Sequence, residues 1–208
     1  MRLEDAVRRV VRTGSLVLVL LALGRTLAAQ HQWGLGVDVG LTRFWGASEA
    51  VPPDNSPGLK PYRPTSVALR LDRLVGRARV GLGVAYGTSG IGAETENAAV
   101  IAKGTLSWVQ LAPEFAYRLA ILGAGLELRA FGGPVGDLWL PDAEDGRFRL
   151  GARGGFELLA PLGTRVAATV RAHGGVTGSL FRDDEVPSGY RTKMMPNAGV
   201  ALGFRLGL

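Results

Sequence analysis

The sequence contains no cysteine among its 208 residues. This absence excludes a disulfide framework, a thiolate metal site and a cysteine nucleophile. Histidine is scarce as well, because His31 and His173 are the two imidazoles available for acid–base chemistry. Lysine is restricted to Lys60, Lys103 and Lys193, whereas the other cationic side chains are arginines. The chain therefore has few of the side chains on which enzymes usually rely.

Long apolar runs are missing too. The longest, SLVLVLLAL at residues 15–23, is too short to cross a bilayer as a helix, which takes about 20 residues. It follows the basic segment RRVVR and precedes the small residues of TLAAQ. This order is typical of an export signal, so we predict a signal peptide at residues 1–28, with cleavage after Ala28.

The formal net charge of +6 is concentrated in that segment, and residues 29–208 carry 19 basic and 16 acidic side chains. So mild a surplus argues against a nucleic-acid partner, and we expect none. The 31 glycines and 47% hydrophobic residues supply ample apolar surface for a folded structure. We expect residues 29–208 to form one domain.

Alternation of apolar with small or polar residues recurs in eight segments after residue 28. Each segment meets or exceeds the ~9–11 residues with which a tilted strand crosses a membrane. The predicted strands are 32–45, 65–75, 77–87, 105–119, 123–139, 147–160, 164–181 and 191–208. Pro113, Gly132–Pro134 and Pro196 interrupt the alternation, so we expect bulges or register changes there.

The connections between these segments alternate in length. LVGR, AILG and PLGT are tight turns in which glycine permits the positive φ that hairpins need. The other four connections are longer and rich in Pro, Gly, Asp, Glu and Ser; they are residues 46–64, 88–100, 141–146 and 182–189. Short turns at one rim, together with both termini, and long loops at the other are typical of outer-membrane barrels.

The alternation does not by itself say which face points inward, because soluble ligand-binding barrels have an apolar interior. In the last predicted strand Val200, Leu202 and Phe204 oppose Gly203 and Arg205. Such a mixture of charge with glycine suits the narrow lumen of an eight-stranded barrel. The lysines also lie in or beside the long loops, whereas the strands use arginine. We therefore expect the apolar face to point outward into lipid.

Aromatic residues near the predicted strand ends suggest the interfacial girdles of a membrane barrel. Those beside the long loops are Phe44, Trp45, Tyr86, Trp139, Phe181 and Tyr190, and those towards the short turns are Trp33 and Tyr117.

These features together resemble the small eight-stranded outer-membrane β-barrel families, such as the OmpA transmembrane domain and OmpX. The resemblance implies an all-β, antiparallel up-and-down transmembrane barrel in the bacterial outer membrane, in contact with outer-membrane lipid and lipopolysaccharide. It also implies recognition of the last strand by the barrel-assembly machinery, for which Gly203, Leu206 and Leu208 resemble the family signal. The terminal Leu208 departs from the usual Phe.

Inside such a barrel we predict a structural network of lumen charges. Tracing the strands up and down places Asp38 near Arg70, Glu114 near Arg129, Glu127 near Arg118, and Glu157 near Arg153 or Arg171. Opposite charges attract more strongly in a lumen of low dielectric than in water, although desolvation offsets part of the gain. The predicted members are Asp38, Arg70, Glu114, Arg118, Glu127, Arg129, Arg153, Glu157, Arg171 and Arg205.

No catalytic residue, cofactor site or metal site is predicted. Lipid A deacylases share the eight-stranded architecture and carry His-x-Ser on a strand, whereas His173 is followed here by two glycines. The sequence thus predicts a non-enzymatic barrel plugged by Arg–carboxylate pairs, whose long loops, chiefly Gly46 to Pro64, contact the envelope or a surface ligand. The alternatives are a narrow small-solute channel, a lipid-modifying enzyme, and a secreted soluble barrel that binds an apolar ligand.

Overall fold

The computed structural model describes residues 32–51, 58–94, 99–142, 145–186 and 188–208. The predicted signal peptide and part of the first long loop, residues 52–57, lie outside these ranges. Within them, no helix has the length and apolar character needed to cross a membrane.

The described residues form ten strands, and eight of them close into an antiparallel barrel in the order β1-β10-β8-β7-β6-β5-β4-β3. The predicted fold class is therefore confirmed. The strands are β1 (Trp33–Phe44), β2 (Ser48–Ala50), β3 (Leu59–Val75), β4 (Ala78–Glu94), β5 (Ala99–Ile121), β6 (Glu127–Pro141), β7 (Arg147–Pro161), β8 (Val166–Thr177), β9 (Tyr190–Thr192) and β10 (Met195–Gly207). The short strands β2 and β9 pair with each other in a separate sheet that the sequence did not predict.

The two faces of the barrel wall follow the alternation in the sequence. Val37, Leu150 and Phe204 point away from the axis and are 44%, 69% and 60% exposed. Arg70 and Arg205 lie inside the barrel and are each 6% exposed. The expected orientation, with apolar side chains outward and charges inward, is thus confirmed. An apolar outer wall of this kind is stable in hydrocarbon but not in water.

The short turns lie where the sequence predicted them. Gly76, with φ of +65°, lies in the turn between β3 and β4. A short 3₁₀ turn, Gly123–Gly125, joins β5 to β6, and residues 162–165 join β7 to β8. The start of β1 and the end of β10 lie at this same rim, since Gly34 pairs with Gly207.

Two predicted loops are shorter than expected, because the strands continue into them. The β3 strand begins at Leu59, and β4 and β5 reach Glu94 and Ala99, so most of residues 88–100 is hairpin. Register irregularities between Tyr62 and Thr65 and between Ser89 and Ile91 accommodate the prolines and glycines of these segments. Such bulges let a strand continue through residues that would otherwise end it.

The register changes predicted at the prolines do not occur. Leu111 pairs with Gly136 and Phe115 with Gly132, so Pro113 and Pro134 lie opposite each other without a shift in register. Neither proline has an N–H to donate, so the ladder simply lacks bonds there. A Cβ on Gly133 would lie 2.1 Å from the Pro113 carbonyl oxygen, which shows how closely the two strands approach. Pro196 also pairs in register, with Val176.

Several aromatic residues assigned to the girdle lie elsewhere. Phe181 is partly buried against the cluster that contains Phe44 and Trp139, and Tyr190 lies on β9, outside the barrel sheet. Phe44 and Trp139 are buried inside the barrel, whereas Trp45 and Tyr86 are exposed on its outer wall as expected. The difference arises because both buried residues keep the inward phase of their strands, Phe44 at the last position of β1 and Trp139 two residues before the end of β6. Closeness to a strand end therefore did not decide which way an aromatic side chain points.

Candidate functional site: the barrel lumen

The centre of the lumen holds three arginines and three carboxylates, which we call the middle network: Asp38, Arg70, Glu114, Arg153, Glu157 and Arg171. Arg70 connects two of the carboxylates, because its Nε lies 2.6 Å from Asp38 Oδ2 and its Nη1 lies 2.8 Å from Glu157 Oε1. Thr169 donates a further hydrogen bond of 3.0 Å to Asp38 Oδ1. Each strand delivers its charge at an inward position of the alternation, so the side chains converge on the axis.

Glu114 forms the second half of this network. Its Oε2 lies 2.6 Å from Arg171 Nη2 and 3.4 Å from Arg153 Nη2. The guanidinium of Arg171 also lies 3.9 Å from the centre of the Phe131 ring and 3.6 Å from Glu157 Oε1. Three formal positive charges thus meet three formal negative charges in a layer that spans the lumen.

Several predicted pairs differ in detail. Asp38 contacts Arg70 and Glu127 lies 4.0 Å from Arg118, as the tracing of the strands suggested. The predicted Glu114–Arg129 pair is wrong, because the flanking register places Glu114 opposite Gly133, four residues along β6 from Arg129. Arg129 instead contacts Glu127 and Glu157.

Glu157 was expected to contact Arg153 or Arg171. The structure places it against Arg171, and also against Arg70 and Arg129, whereas Arg153 contacts Glu114. The remaining predicted member, Arg205, contacts Asp72 at the short-turn end of the lumen.

Two carboxylates inside the lumen were missed, one buried and one half-buried. Asp137 is 1% exposed and accepts hydrogen bonds from Trp108 Nε1, at 2.9 Å, and from Gln110 Nε2, at 2.8 Å. Asp72 accepts hydrogen bonds from Arg79 and Arg205. The signal for Asp72 was present in the sequence, because it lies two residues after Arg70 and so on the same face. The phase of Asp137 was obscured by Gly132–Pro134.

Above the middle network, towards the long loops, the lumen is apolar. We call this part the upper cluster: Phe44, Ala47, Leu106, Trp108, Trp139, Leu180 and Met195. Trp108 and Trp139 stack with ring centres 5.8 Å apart, and Phe44 meets Trp139 edge to face at 5.4 Å. Such arrangements match the preferred geometry of aromatic pairs. The cluster fills the long-loop end of the barrel mainly by packing, and the Trp108 indole is also held by its hydrogen bond to Asp137.

Loops complete this closure from outside, in what we call the loop cap: β2, β9 and residues 178–186. Leu180 is 0% exposed, and its carbonyl accepts a 3.0 Å hydrogen bond from Arg147 Nη1. Ser179 Oγ donates to the Ala47 carbonyl at 2.7 Å. Arg147 also holds Glu185 at 2.9 Å. These contacts fix the segment after β8 over the mouth of the barrel.

Ion pairs join the two strands of the loop cap. Glu49 on β2 lies 2.9 Å from Lys193 Nζ and 2.5 Å from Arg191 Nη2. Hydrogen bonds from Lys193 and, to a smaller extent, from Arg191 hold the pKa of Glu49 below its ordinary value of 4.5. Burial acts to raise the pKa of Glu185, but hydrogen bonds from the Arg182 backbone and the Arg147 side chain outweigh it, so that this pKa is also lowered.

Two cavities lie on either side of the middle network. The upper cavity, lined among others by Asp38, Gln110 and His173, has about 50 Å³ accessible to the centres of water molecules. The lower one, at the short-turn mouth, has about 210 Å³. His173 has no hydrogen-bond partner among the described residues. The described residues also contain no group of three or more His, Asp or Glu placed to hold a metal.

A comparison with protein-family models finds none that matches the sequence, and a comparison with curated proteins likewise finds no match. Solved structures do match. The crystal structure of Neisserial surface protein A superposes with a TM-score of 0.55 at 9% sequence identity, covering 85% of this chain and 97% of that one. The fold is that of an outer-membrane β-barrel.

The outer membrane protein OprG from Pseudomonas aeruginosa is also similar, with a TM-score of 0.49 at 12% identity over 84% of this chain and 95% of that one. The match to Neisserial surface protein A confirms, at the level of fold, the resemblance suggested by the sequence. Together with the apolar outer wall, this fold indicates residence in the outer membrane of a bacterium.

Proposed function

We propose that the protein is a non-enzymatic outer-membrane barrel whose lumen is closed to solutes and whose loop cap contacts other components of the envelope. The observation that supports this proposal is that the lumen is filled at two levels. The middle network occupies it with paired charges, and the upper cluster occupies it with stacked aromatic rings. A solute would have to displace both layers to pass.

The two layers resist displacement for different reasons. Separating Arg70 from its carboxylates would leave charges unpaired in a lumen of low dielectric, at a cost of about 3–5 kcal/mol. Opening the upper cluster would expose Trp139 and Leu180, which are both 0% exposed, to water. The hydrogen bonds from Gln110 to Asp137 and from Arg153 to Gln110, at 2.8 and 2.6 Å, connect the layers.

The loop cap is the part that faces outward beyond the barrel. It is held by main-chain pairing of β2 with β9, by the Glu49 ion pairs and by the contacts of Ser179, so it presents a defined surface. Arg191 and Lys193 both contact Glu49, yet their side chains stay 66% and 42% exposed, so this surface carries accessible cationic groups. Such groups bind phosphates of lipopolysaccharide, which we propose as the partner of the loop cap.

Conductance across a planar lipid bilayer tests the closed lumen. The wild-type barrel should give no unitary currents, and Arg70→Gln or Trp139→Ala alone should stay nearly silent because the other layer remains. The double variant should conduct. Phe148→Ala, on the outer wall, is the matched control for the loss of an aromatic side chain and should stay silent.

A narrow channel for small solutes is the second candidate, and the cavities on both sides of the middle network favour it. Reproducible unitary currents from the wild-type barrel would establish this candidate and refute the closed lumen.

The location is tested separately, by fractionation and by gel mobility with and without heating. A heat-sensitive shift in the outer-membrane fraction is the expected result. Solubility without detergent would contradict the membrane assignment and would favour a secreted barrel.

A further inference from the structure

The short-turn mouth of the lumen carries more positive charge than its carboxylates balance. Four arginines line it, namely Arg79, Arg129, Arg165 and Arg205, with Glu127 in the same wall. Asp72 lies behind them and contacts Arg79 and Arg205. Four cations against two anions leave a formal surplus of two positive charges, whereas the middle network is balanced. This difference makes the mouth the electrostatically unsatisfied end of the lumen.

Hydrogen bonding shows the same shortage of acceptors. Arg79 Nε, Arg129 Nη1 and Arg205 Nε are buried and have no hydrogen-bond partner. Arg129 Nη1 lies 3.7 Å from Glu157 Oε2, too far for a hydrogen bond. A buried donor left without an acceptor costs about 1–3 kcal/mol. Three such donors belong to arginines of one cavity wall, against one in the middle network, Arg171 Nε. They are covered by protein in this arrangement, so a ligand in the cavity would reach them after the guanidinium groups rotate.

The mouth also has room for a ligand. About 210 Å³ is accessible to water centres, many times the roughly 10–15 Å³ that one water molecule needs on this measure. Gly125, Gly163 and Gly207 line the cavity and leave it wide. On β1, a Cβ at Gly34 would lie 1.6 Å from Arg205 Nη2, so this glycine makes space for the guanidinium against the wall.

We propose that the short-turn mouth is a binding site for a small soluble oxyanion of the phosphate class. Guanidinium groups present donors in a fixed fork that matches the oxygens of phosphate. A dianion would neutralise the surplus of two charges, and its oxygens would accept hydrogen bonds after small rotations of the guanidinium planes. Binding takes place from the side of the short turns and requires no passage through the middle network.

The test is calorimetric titration of the refolded barrel in zwitterionic detergent with inorganic phosphate, at low ionic strength. Wild type should bind phosphate at one saturable site. Arg165→Gln should weaken binding several-fold, because this exposed arginine has no side-chain partner among the described residues and its loss leaves the fold intact. Arg79→Gln combined with Arg165→Gln should weaken it at least 10-fold.

Arg77→Gln is the matched control, since Arg77 lies exposed in the turn between β3 and β4, outside the wall of the mouth. It should change the phosphate affinity by less than twofold. Heat-dependent gel mobility identifies variants that fail to fold. If the double variant fails to fold, the phosphate affinity of Arg165→Gln alone is the test. The proposal is overturned if wild type binds no phosphate, if Arg165→Gln binds as wild type does, or if Arg77→Gln weakens binding equally. Occupancy by phosphatidylglycerol in nanodiscs without any binding of inorganic phosphate would overturn it as well.

Discussion

The upper cluster and the middle network fill the same lumen by different means. The upper cluster consists of aromatic and aliphatic side chains that pack at van der Waals distance, with Trp108 and Trp139 stacked at its centre. The middle network consists of long charged side chains that must all be paired, with Arg70 bridging Asp38 and Glu157. A packed apolar layer loses little stability when a side chain changes shape at constant volume. In a layer of charges at low dielectric, removing one partner leaves a buried charge unpaired, which costs much more. The two layers should therefore respond differently to substitution.

The largest effect is expected from removing the bridge of the middle network. Arg70→Gln leaves Asp38 and Glu157 without their shortest ion pairs and should lower the free energy of unfolding by about 3–5 kcal/mol. Urea unfolding of the barrel in lipid vesicles, followed by tryptophan fluorescence, measures the change. Arg73→Gln, in the same strand but exposed and lying over Trp33, should change the free energy by less than about 0.5 kcal/mol. Equal losses of unfolding free energy in the two variants would mean that Arg70 in the network contributes no more to stability than an exposed arginine does.

The upper cluster should respond to lost volume. Leu106 is 1% exposed, and Leu106→Ala should cost about 2–5 kcal/mol through the cavity that it leaves. The same unfolding experiment applies. Leu150→Ala, on the lipid-facing wall, is the matched control and should cost less because lipid fills the space. A smaller loss at Leu106 than at Leu150 would show that the cluster is loosely packed.

A smaller effect is expected where a glycine admits a charged side chain. Gly34→Ala would force the guanidinium of Arg205 to move and should weaken its contact with Asp72, at a cost of about 1–3 kcal/mol. Gly123→Ala, which has no atom within 4 Å of the added Cβ, serves as the control in the same unfolding measurement. If the two variants proved equally stable, the space at Gly34 would have no role in placing Arg205.

The smallest effect should be the pH response of the loop cap. Because the pKa of Glu49 is lowered in the folded state, its ion pairs stabilise the pairing of β2 with β9 above pH 4.5. This contribution is lost as the pH falls below 4.5 through the folded-state pKa. NMR of the barrel in detergent should show the amides of residues 48–50 and 190–192 shifting in that range. In Glu49→Gln this titration should vanish, and a midpoint above 4.5 in wild type would contradict the assignment.

The sequence predicted the barrel better than the contents of its lumen. Alternation of side chains is a local property, so the outward direction of Val37 and Phe204 followed from their neighbours alone. Pairing inside the lumen depends on strand register, which is not local, and a displacement of four residues was enough to make the Glu114–Arg129 pair wrong.

The upper cluster was missed for another reason. Phe44 and Trp139 lie near strand ends. An aromatic residue near a strand end is expected both in an interfacial girdle and in a cluster that fills the lumen, so its position alone does not distinguish the two. The strand phase distinguishes the two, and it was readable at Phe44, six residues after Asp38. The loop cap depends on pairing between β2 and β9, whose paired residues are 140 to 144 positions apart in the sequence. Neither strand carries a repeating pattern, so no local signal predicted their pairing.

The most direct test of the closed lumen uses the absence of cysteine in the chain. Single cysteines are introduced at Ala85, which lines the upper cavity, and at Ala167, in the short-turn mouth, and the barrels are exposed on both sides to a membrane-impermeant maleimide. A closed lumen predicts rapid labelling at Ala167→Cys, protection at Ala85→Cys, and labelling at Ala85→Cys once either Arg70→Gln or Trp139→Ala opens one of the two layers that enclose the upper cavity. Rapid labelling of Ala85→Cys in the otherwise unaltered barrel would contradict it.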